Sequence, residues 1–401
     1  MEETASSQPS RNGAMPLTRA LPHLLLLTLI FFAAFLARIV LAPLLPGIQS
    51  ELPMDHSTAG SLFFILSTGY FVSLLSTGYL AACFTHRRLI MSACFGLGLA
   101  LLATAGTESV RGLQGSAFML GLAAGLYLPS GISAVTHLTM PQHWGRALAI
   151  HELAPNLSFV LAPVAAEVML RHGGWRFGLA LMGGAAMLLG LIYAVYGRGT
   201  GFRGAMPDRK AARHLLGQRY LWLLIAIFGF GIASTMGTYT MLPLYLVDRH
   251  GMDHGSANAL LAASRLAALP MAFAGGWMAD RFGPRATIRS VFLLSGTATT
   301  ALGLLTAGWL RAAVFGQPLL AVCFFPAGFS ALSALSPPGY RNIMVALIIP
   351  AAFLVGGGAV PLAIGWLGDG GYFAEAFTLT GILITLGAGL TLLLPRTDGR
   401  L

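Results

Sequence analysis

The chain has 401 residues, of which 56% are hydrophobic and only 9% charged, and its mean hydropathy is +0.75; these values exclude an ordinary soluble domain. Its formal charge of +10 is spread over short loops, which excludes the clustered basic surface of a nucleic-acid binder and fits orientation in a lipid bilayer. Cys83, Cys94 and Cys323 stand in apolar runs without metal-ligand spacing, so no disulfide framework, metal site or other cofactor is expected.

Residues 1–20 are polar and serine-rich, carry Arg11 and Arg19, and read as a cytoplasmic tail. The apolar run that follows, Leu21 to Leu45, is too long for a cleaved signal peptide. A membrane helix needs about 20 apolar residues. On that scale twelve spans are predicted, near 21–45, 57–83, 89–106, 111–137, 147–170, 175–197, 219–246, 256–279, 287–309, 312–334, 343–367 and 374–395. With the N-terminus inside, 17 arginines and lysines fall on the cytoplasmic side and 4 outside, which places both termini in the cytoplasm of a multi-pass protein of the inner membrane. The basic stretch 198–218 links a first half, 21–197, to a second, 219–395, and residues 396–401 form a short C-terminal tail.

The two halves are related by an internal repeat. Met54-Asp55-His56-Ser57-Thr58-Ala59 and Met252-Asp253-His254-Gly255-Ser256-Ala257 lie 198 positions apart. The register continues without a gap through Gly78/Gly276, Ala81/Ala279, Phe84/Phe282 and Arg87/Arg285, so two homologous helical bundles are expected.

The second copy ends in Gly276, Asp280, Arg281, Gly283 and Arg285, spaced G-x-x-x-D-R-x-G-x-R after a membrane span. Glycine permits a tight turn there, Asp280 is placed to cap a helix start, and the arginines face the anionic cytoplasmic surface. This spacing resembles the loop signature of the major facilitator superfamily of secondary transporters. Arg111-Gly112-Leu113-Gln114-Gly115 at the outer start of span 4 matches that superfamily's R-x-x-Q-G pattern, Gly173-Gly174-Trp175-Arg176 resembles its turn into span 6, and Ala162-Pro163 stands where its drug antiporters carry Gly-Pro, with Pro361 another 198 residues on. The resemblance implies an all-α membrane protein of twelve helices in two pseudo-symmetric six-helix bundles that rock about a central cavity, driven by an ion gradient. It also implies a gating role for the loop residues and for Pro163 and Pro361, and a role in proton coupling or helix contacts for Arg111. The sequence departs from the pattern where Ala82 and Thr85 replace the first-copy aspartate and glycine, and where Ala162, Ala165 and Ala166 replace glycines.

Ionisable groups within spans cost about 2.5–3.5 kcal/mol or more, so they are functional candidates. Arg38 lies about seven residues from the outer end of span 1 and Arg265 about nine from that of span 8, depths of roughly 11 and 13 Å at the rise of a helix. Two arginines at one depth, from opposite halves, suit an anion held between the bundles, because the guanidinium fork meets oxyanions bidentately and keeps its proton. The alternative is that each ties helices together. Glu152, Asn156, Pro163 and Glu167 fall on one face of span 5, and Glu152, beside His151, and Glu167 are candidate proton carriers, with a loop-arginine partner as the alternative for Glu152. The polar, aromatic stretch from Ser234 to Tyr245 in span 7 offers Thr238 and Tyr239 as ligand hydrogen-bonders, with Pro243 opening the backbone near the outer gate, and Gly356-Gly357-Gly358 reads as a packing seam.

No phosphate loop, H-E-x-x-H or nucleophile elbow is present, so an enzyme is not expected. The reading is a monomeric, proton-coupled symporter of a small anion, either an organic carboxylate or an inorganic oxyanion, whose partners are its solute, its coupling ion and lipid. A proton-driven exporter of drugs or amphipathic compounds is the alternative, and a non-transporting sensor or scaffold of the same fold a second one.

Overall fold

In a bilayer every backbone N–H and C=O must be satisfied within the chain, and a chain this apolar answers with helices. The computed structural model describes residues 14–337 and 340–394, so most of the expected N-terminal tail (1–13) and the C-terminal tail lie outside the described residues. The helices, taken as spans, are span 1 (Leu17–Ile39 and Leu41–Glu51), span 2 (His56–Cys83), span 3 (His86–Ala105), span 4 (Val110–Leu138), span 5 (Trp144–His151 and Leu153–His172), span 6 (Gly174–Tyr196), span 7 (Arg219–Asp248), span 8 (His254–Phe282), span 9 (Pro284–Leu304), span 10 (Ala307–Ala321 and Phe324–Leu335), span 11 (Arg341–Asp369) and span 12 (Phe373–Leu393). Eleven are long and apolar enough to cross a membrane on their own composition; span 9 is the more polar one, diluted by Arg285, Arg289 and a run of threonines and serines.

Three spans are broken, and each break has the same cause. Pro43, Pro155 and Pro326 each occupy the third position of the helix segment that follows the break. Proline is tolerated in a first turn but deletes the hydrogen bond to the carbonyl four residues back, so the preceding segment ends there. Two other spans widen instead of breaking, with π-helical turns at Ala233–Gly237 in span 7 and Phe353–Ala359 in span 11. The opening of span 7 therefore lies inward of Pro243, which sits within a continuous helical segment; the expectation that Pro243 opens the backbone is corrected.

The repeat is visible in both caps and packing. Asp55 accepts from Thr58 N at 2.8 Å, and Asp253, 198 residues on, accepts from Ser256 N at 2.9 Å. Those bonds hold both carboxyls below their ordinary range. Spans 3 and 6 meet at Gly98 and Gly183, where a Cβ on either would lie 2.7 and 2.9 Å from the other's carbonyl oxygen. Spans 9 and 12 meet the same way at Gly296 and Gly381, with 2.8 and 2.6 Å, and both residues again stand 198 later. Without a hydrophobic drive between helices in lipid, close approach of this kind supplies the packing. Gly296→Val and Gly381→Val are each expected to cost about 3 kcal/mol or more, since backbone faces backbone and nothing flexible can yield; the yield of folded protein after detergent extraction would fall with either.

The linker is tied to the first bundle. His86 N and Arg87 N donate to Phe202 O and Thr200 O at 3.1 and 2.9 Å, and Gly204 N donates to Ala81 O at 2.8 Å. Thr85, which replaces the motif glycine, caps span 3 by accepting from Arg88 N at 3.4 Å. The linker helix Arg209–Leu216, capped by Asp208, buries Ala211 and Leu215. Phe273, Leu181 and Val195 are exposed on the outer wall, where the acyl chains would cover them.

Candidate functional site

Where the two bundles meet, their buried arginines lie within one aromatic cluster. Arg38 ends the first segment of span 1, just before the break set by Pro43, and its guanidinium carbon is 3.8 Å from the ring centre of Tyr70, 5.0 Å from Phe353 and 5.3 Å from Phe35. Arg265 of span 8 lies 4.5 Å from Phe159 and 4.7 Å from Tyr239. Phe35 and Phe159 touch edge to face at 5.4 Å and so join the two groups. Each cluster crosses between halves, since Phe353 and Tyr239 belong to the second bundle and Tyr70 and Phe159 to the first.

The electrostatics are unbalanced. Arg38 is 2% exposed and Arg265 6%, and among the described residues neither takes part in an ion pair. Arg265 Nη2 donates to Thr235 O at 2.9 Å, inside the π-helical turn, where the altered hydrogen-bond register makes a carbonyl available. Its Nε has no partner, nor do Nε and Nη2 of Arg38, nor the Tyr239 hydroxyl. Buried polar atoms are normally satisfied, so donors left open around two cations mark a place for an acceptor.

Other expected site residues are placed differently. Thr238 is buried and its hydroxyl donates to Ala233 O at 3.1 Å within its own helix, which leaves its oxygen free only to accept. Glu152 sits at the break in span 5, between Trp144–His151 and Leu153–His172, with its side chain 55% exposed. Its neighbour His151 is fully buried and 3.0 Å from the Tyr127 hydroxyl, whose proton goes to Leu27 O; His151 Nε2 is therefore the donor of that pair. Arg111 is exposed at the start of span 4, where its place in the sequence put it, and Gln114 of the same motif donates to Ser61 Oγ of span 2 at 3.0 Å.

The loop between spans 8 and 9 turns at a glycine with positive φ. Gly283 has φ +81° and directly precedes Pro284 at the start of span 9, which has no side-chain cap, so the capping role expected of Asp280 is corrected. Arg285 donates to Leu392 O at 3.1 Å, Arg281 and Asp280 are exposed, and a Cβ on Gly276 would lie 3.9 Å from Pro326. Pro163 and Pro361 are buried, and Pro361 backs onto Gly60 of span 2, where a Cβ would lie 2.9 Å from Leu362 Cα. Gly356 is a packing seam, as a Cβ there would lie 2.6 Å from Ala233 N.

At the face that the charge distribution predicts to lie outside, the bundles are joined by polar contacts. Asp369, ending span 11, accepts from His56 N at 2.7 Å and Ser57 N at 2.9 Å, so it caps the first turn of span 2 across the interface. The His56 ring lies between two carboxylates, with Nε2 3.1 Å from Asp248 and Nδ1 3.2 Å from Asp369. On the pseudo-symmetric side Glu167 accepts from Asn258 at 3.4 Å and from Arg171 at 2.5 Å. These contacts join the two bundles at this end of the molecule. Sequence reasoning missed His56, Asp248 and Asp369 as a set; the available signal was that acidic residues, scarce in this chain, stand at the outer ends of two second-half spans.

Comparison with known proteins agrees with this architecture. The Major Facilitator Superfamily model matches residues 27–322. A probable sulfoacetate transporter of Cupriavidus necator is 23% identical, covering 91% of this chain and 92% of that protein. A chloramphenicol resistance protein of Streptomyces lividans is 26% identical over 74% of this chain and 83% of its own. Among solved structures, a bacterial homologue of the human lysosomal transporter Spinster, in an inward-facing and occupied conformation, superposes with a TM-score of 0.81 at 16% identity, covering 96% of this chain and 98% of the other.

Proposed function

Because the chain belongs to the Major Facilitator Superfamily, and is therefore a secondary transporter of the membrane, we propose that its cargo is a small anion bound between Arg38 and Arg265. The observation that carries this reading is the set of unpartnered guanidinium N–H groups on both arginines, buried without a carboxylate in reach. A carboxylate or other oxyanion would supply the missing acceptors and the missing charge together. The similarity to a probable sulfoacetate transporter points the same way. Protons serve as the coupling ion in this reading, with Glu167 the carboxylate placed at a moving seam.

One feature favours a second reading. The aromatic wall of Phe35, Phe159, Tyr239 and Phe353 also suits a flat amphipathic compound, as in drug export, and the similarity to a chloramphenicol resistance protein supports it. Thermal-shift screening of the purified protein separates the two. A ligand at 100 times its dissociation constant stabilises the folded state by about 2.7 kcal/mol. Carboxylates, sulfonates or small oxyanions are expected to raise the melting temperature, and a stabilising anion should then accumulate in proteoliposomes under an imposed pH gradient. Stabilisation by neutral or cationic amphiphiles, with none by any anion, would transfer the assignment to the exporter.

A further inference from the structure

The outer contact around His56 has a proton count built into it. Both ring nitrogens face carboxylate oxygens, at 3.1 and 3.2 Å. An ionised carboxylate only accepts, and a neutral imidazole carries one N–H, so a neutral ring can satisfy only one of the two partners while its other nitrogen sets a lone pair against an oxygen. The imidazolium satisfies both. The ring also packs on Phe373, 4.8 Å away, and the backbone bonds from His56 and Ser57 hold the Asp369 carboxylate beside it.

We propose that His56 is a proton-binding site that closes the outer gate: the protein takes up one proton from the outside as its bundles come together there, and gives it back to the same side when they part. The partners come from opposite halves, His56 from the first bundle and Asp248 and Asp369 from the second, so the contact exists only in the closed arrangement. The other charged groups on these helix ends are accounted for. Asp55 is occupied in capping span 2; among the described residues Glu375, in the first turn of span 12, forms no ion pair with His56, and Arg249, a like charge to the imidazolium, forms none with Asp248. Because the proton enters and leaves on one face, the site sets how often the outer gate opens without carrying charge across the membrane. It stands apart from the identity of the cargo.

The full-length chain in lipid nanodiscs, without solute, tests this. Nitroxides would be placed at Glu108→Cys in the first bundle and Thr306→Cys in the second, both at the exposed outer face, with the exposed Cys83 replaced by serine. Distances between them measured from about pH 5.5 to 9 report closed and open populations. One proton bound only in the closed state makes the closed-to-open ratio fall by up to about tenfold per pH unit. His56→Gln is expected to flatten that dependence, and so is Asp369→Asn, which leaves a neutral ring enough partners. His250→Gln and His254→Gln, at the neighbouring outer loop, should leave it intact; burial already holds His250 below the ordinary imidazole range. A ratio in the unsubstituted protein that does not move with pH, or an unchanged pH response in His56→Gln, would overturn the proposal.

Discussion

Arg265→Met is expected to abolish anion uptake while raising the melting temperature of the unliganded protein. The two effects have one origin. In the ligand-free state the guanidinium is buried, holds one hydrogen bond to Thr235 O, and leaves Nε without a partner. Burying an ion without a counter-charge costs several kcal/mol even after relaxation. Against this stand the Thr235 bond, worth about 1.5–3 kcal/mol when the donor is charged, and contacts with the faces of Phe159 and Tyr239, worth up to about 2 kcal/mol when desolvated. Methionine keeps a flexible stem of similar reach and a sulfur that packs well on aromatic rings. The balance is a net stabilisation of about 1–2 kcal/mol. Once an anion sits there the sign reverses, since removing one partner of a buried, hydrogen-bonded charge pair costs about 2–5 kcal/mol, or a loss of roughly thirty- to several-thousand-fold in affinity. Arg265→Lys keeps the charge but not the fork and should fall between. Differential scanning of the empty protein, beside solute uptake, decides the matter. A variant that melts well below the parent yet still transports would make Arg265 a helix tie and remove it from the binding site.

How much of this was legible beforehand depends on the range of the interaction. The helices follow from hydropathy, which acts within a few residues, and the repeat from matched spacing; proline alone does not tell where a span breaks, since Pro129, Pro163 and Pro270 lie inside continuous helices, and the 198-residue register relates Gly98 with Gly183 to Gly296 with Gly381 only once one contact is seen. The arginine pair was visible because a charge in an apolar run is conspicuous whatever its surroundings. What could not be read were partners across the bundle interface. Thr238 looks like a ligand group in sequence, yet its hydroxyl donates to Ala233 O within a π-helical turn that packs closely on Gly356 of span 11, which no local pattern shows. Glu152 and Glu167 share a helix face by spacing, yet Glu152 is exposed at the break in span 5 while Glu167 reaches Asn258 of the other bundle, a contact no spacing announces. His56 gave no signal because its meaning lies in two aspartates 192 and 313 residues away.

Gly365→Leu should leave both bundles folded and hold the outer gate open. A Cβ on Gly365 would lie 2.7 Å from the His56 carbonyl carbon and 3.1 Å from Ser57 Cα, so a larger side chain cannot fit while span 11 of one bundle lies on span 2 of the other. The clash resembles the one at Gly296 and Gly381, but its relief is different. Between two helices of one bundle an added side chain can only force neighbours apart against the rest of that bundle's packing. Between bundles it is relieved by the rigid-body rotation that alternating access already requires, and what is lost is the outer seam alone. Overpacking of about 1–3 kcal/mol applied only to the closed state shifts the closed-to-open ratio by roughly 5- to 150-fold. The expected result is a protein that is extracted and melts nearly as the parent does, shows the long outer nitroxide distance at every pH, and exchanges no solute because it cannot complete the cycle. Unfolding of Gly365→Leu as severe as that of Gly381→Val would mean that the seam at His56 belongs to a static core and that the bundles do not part there.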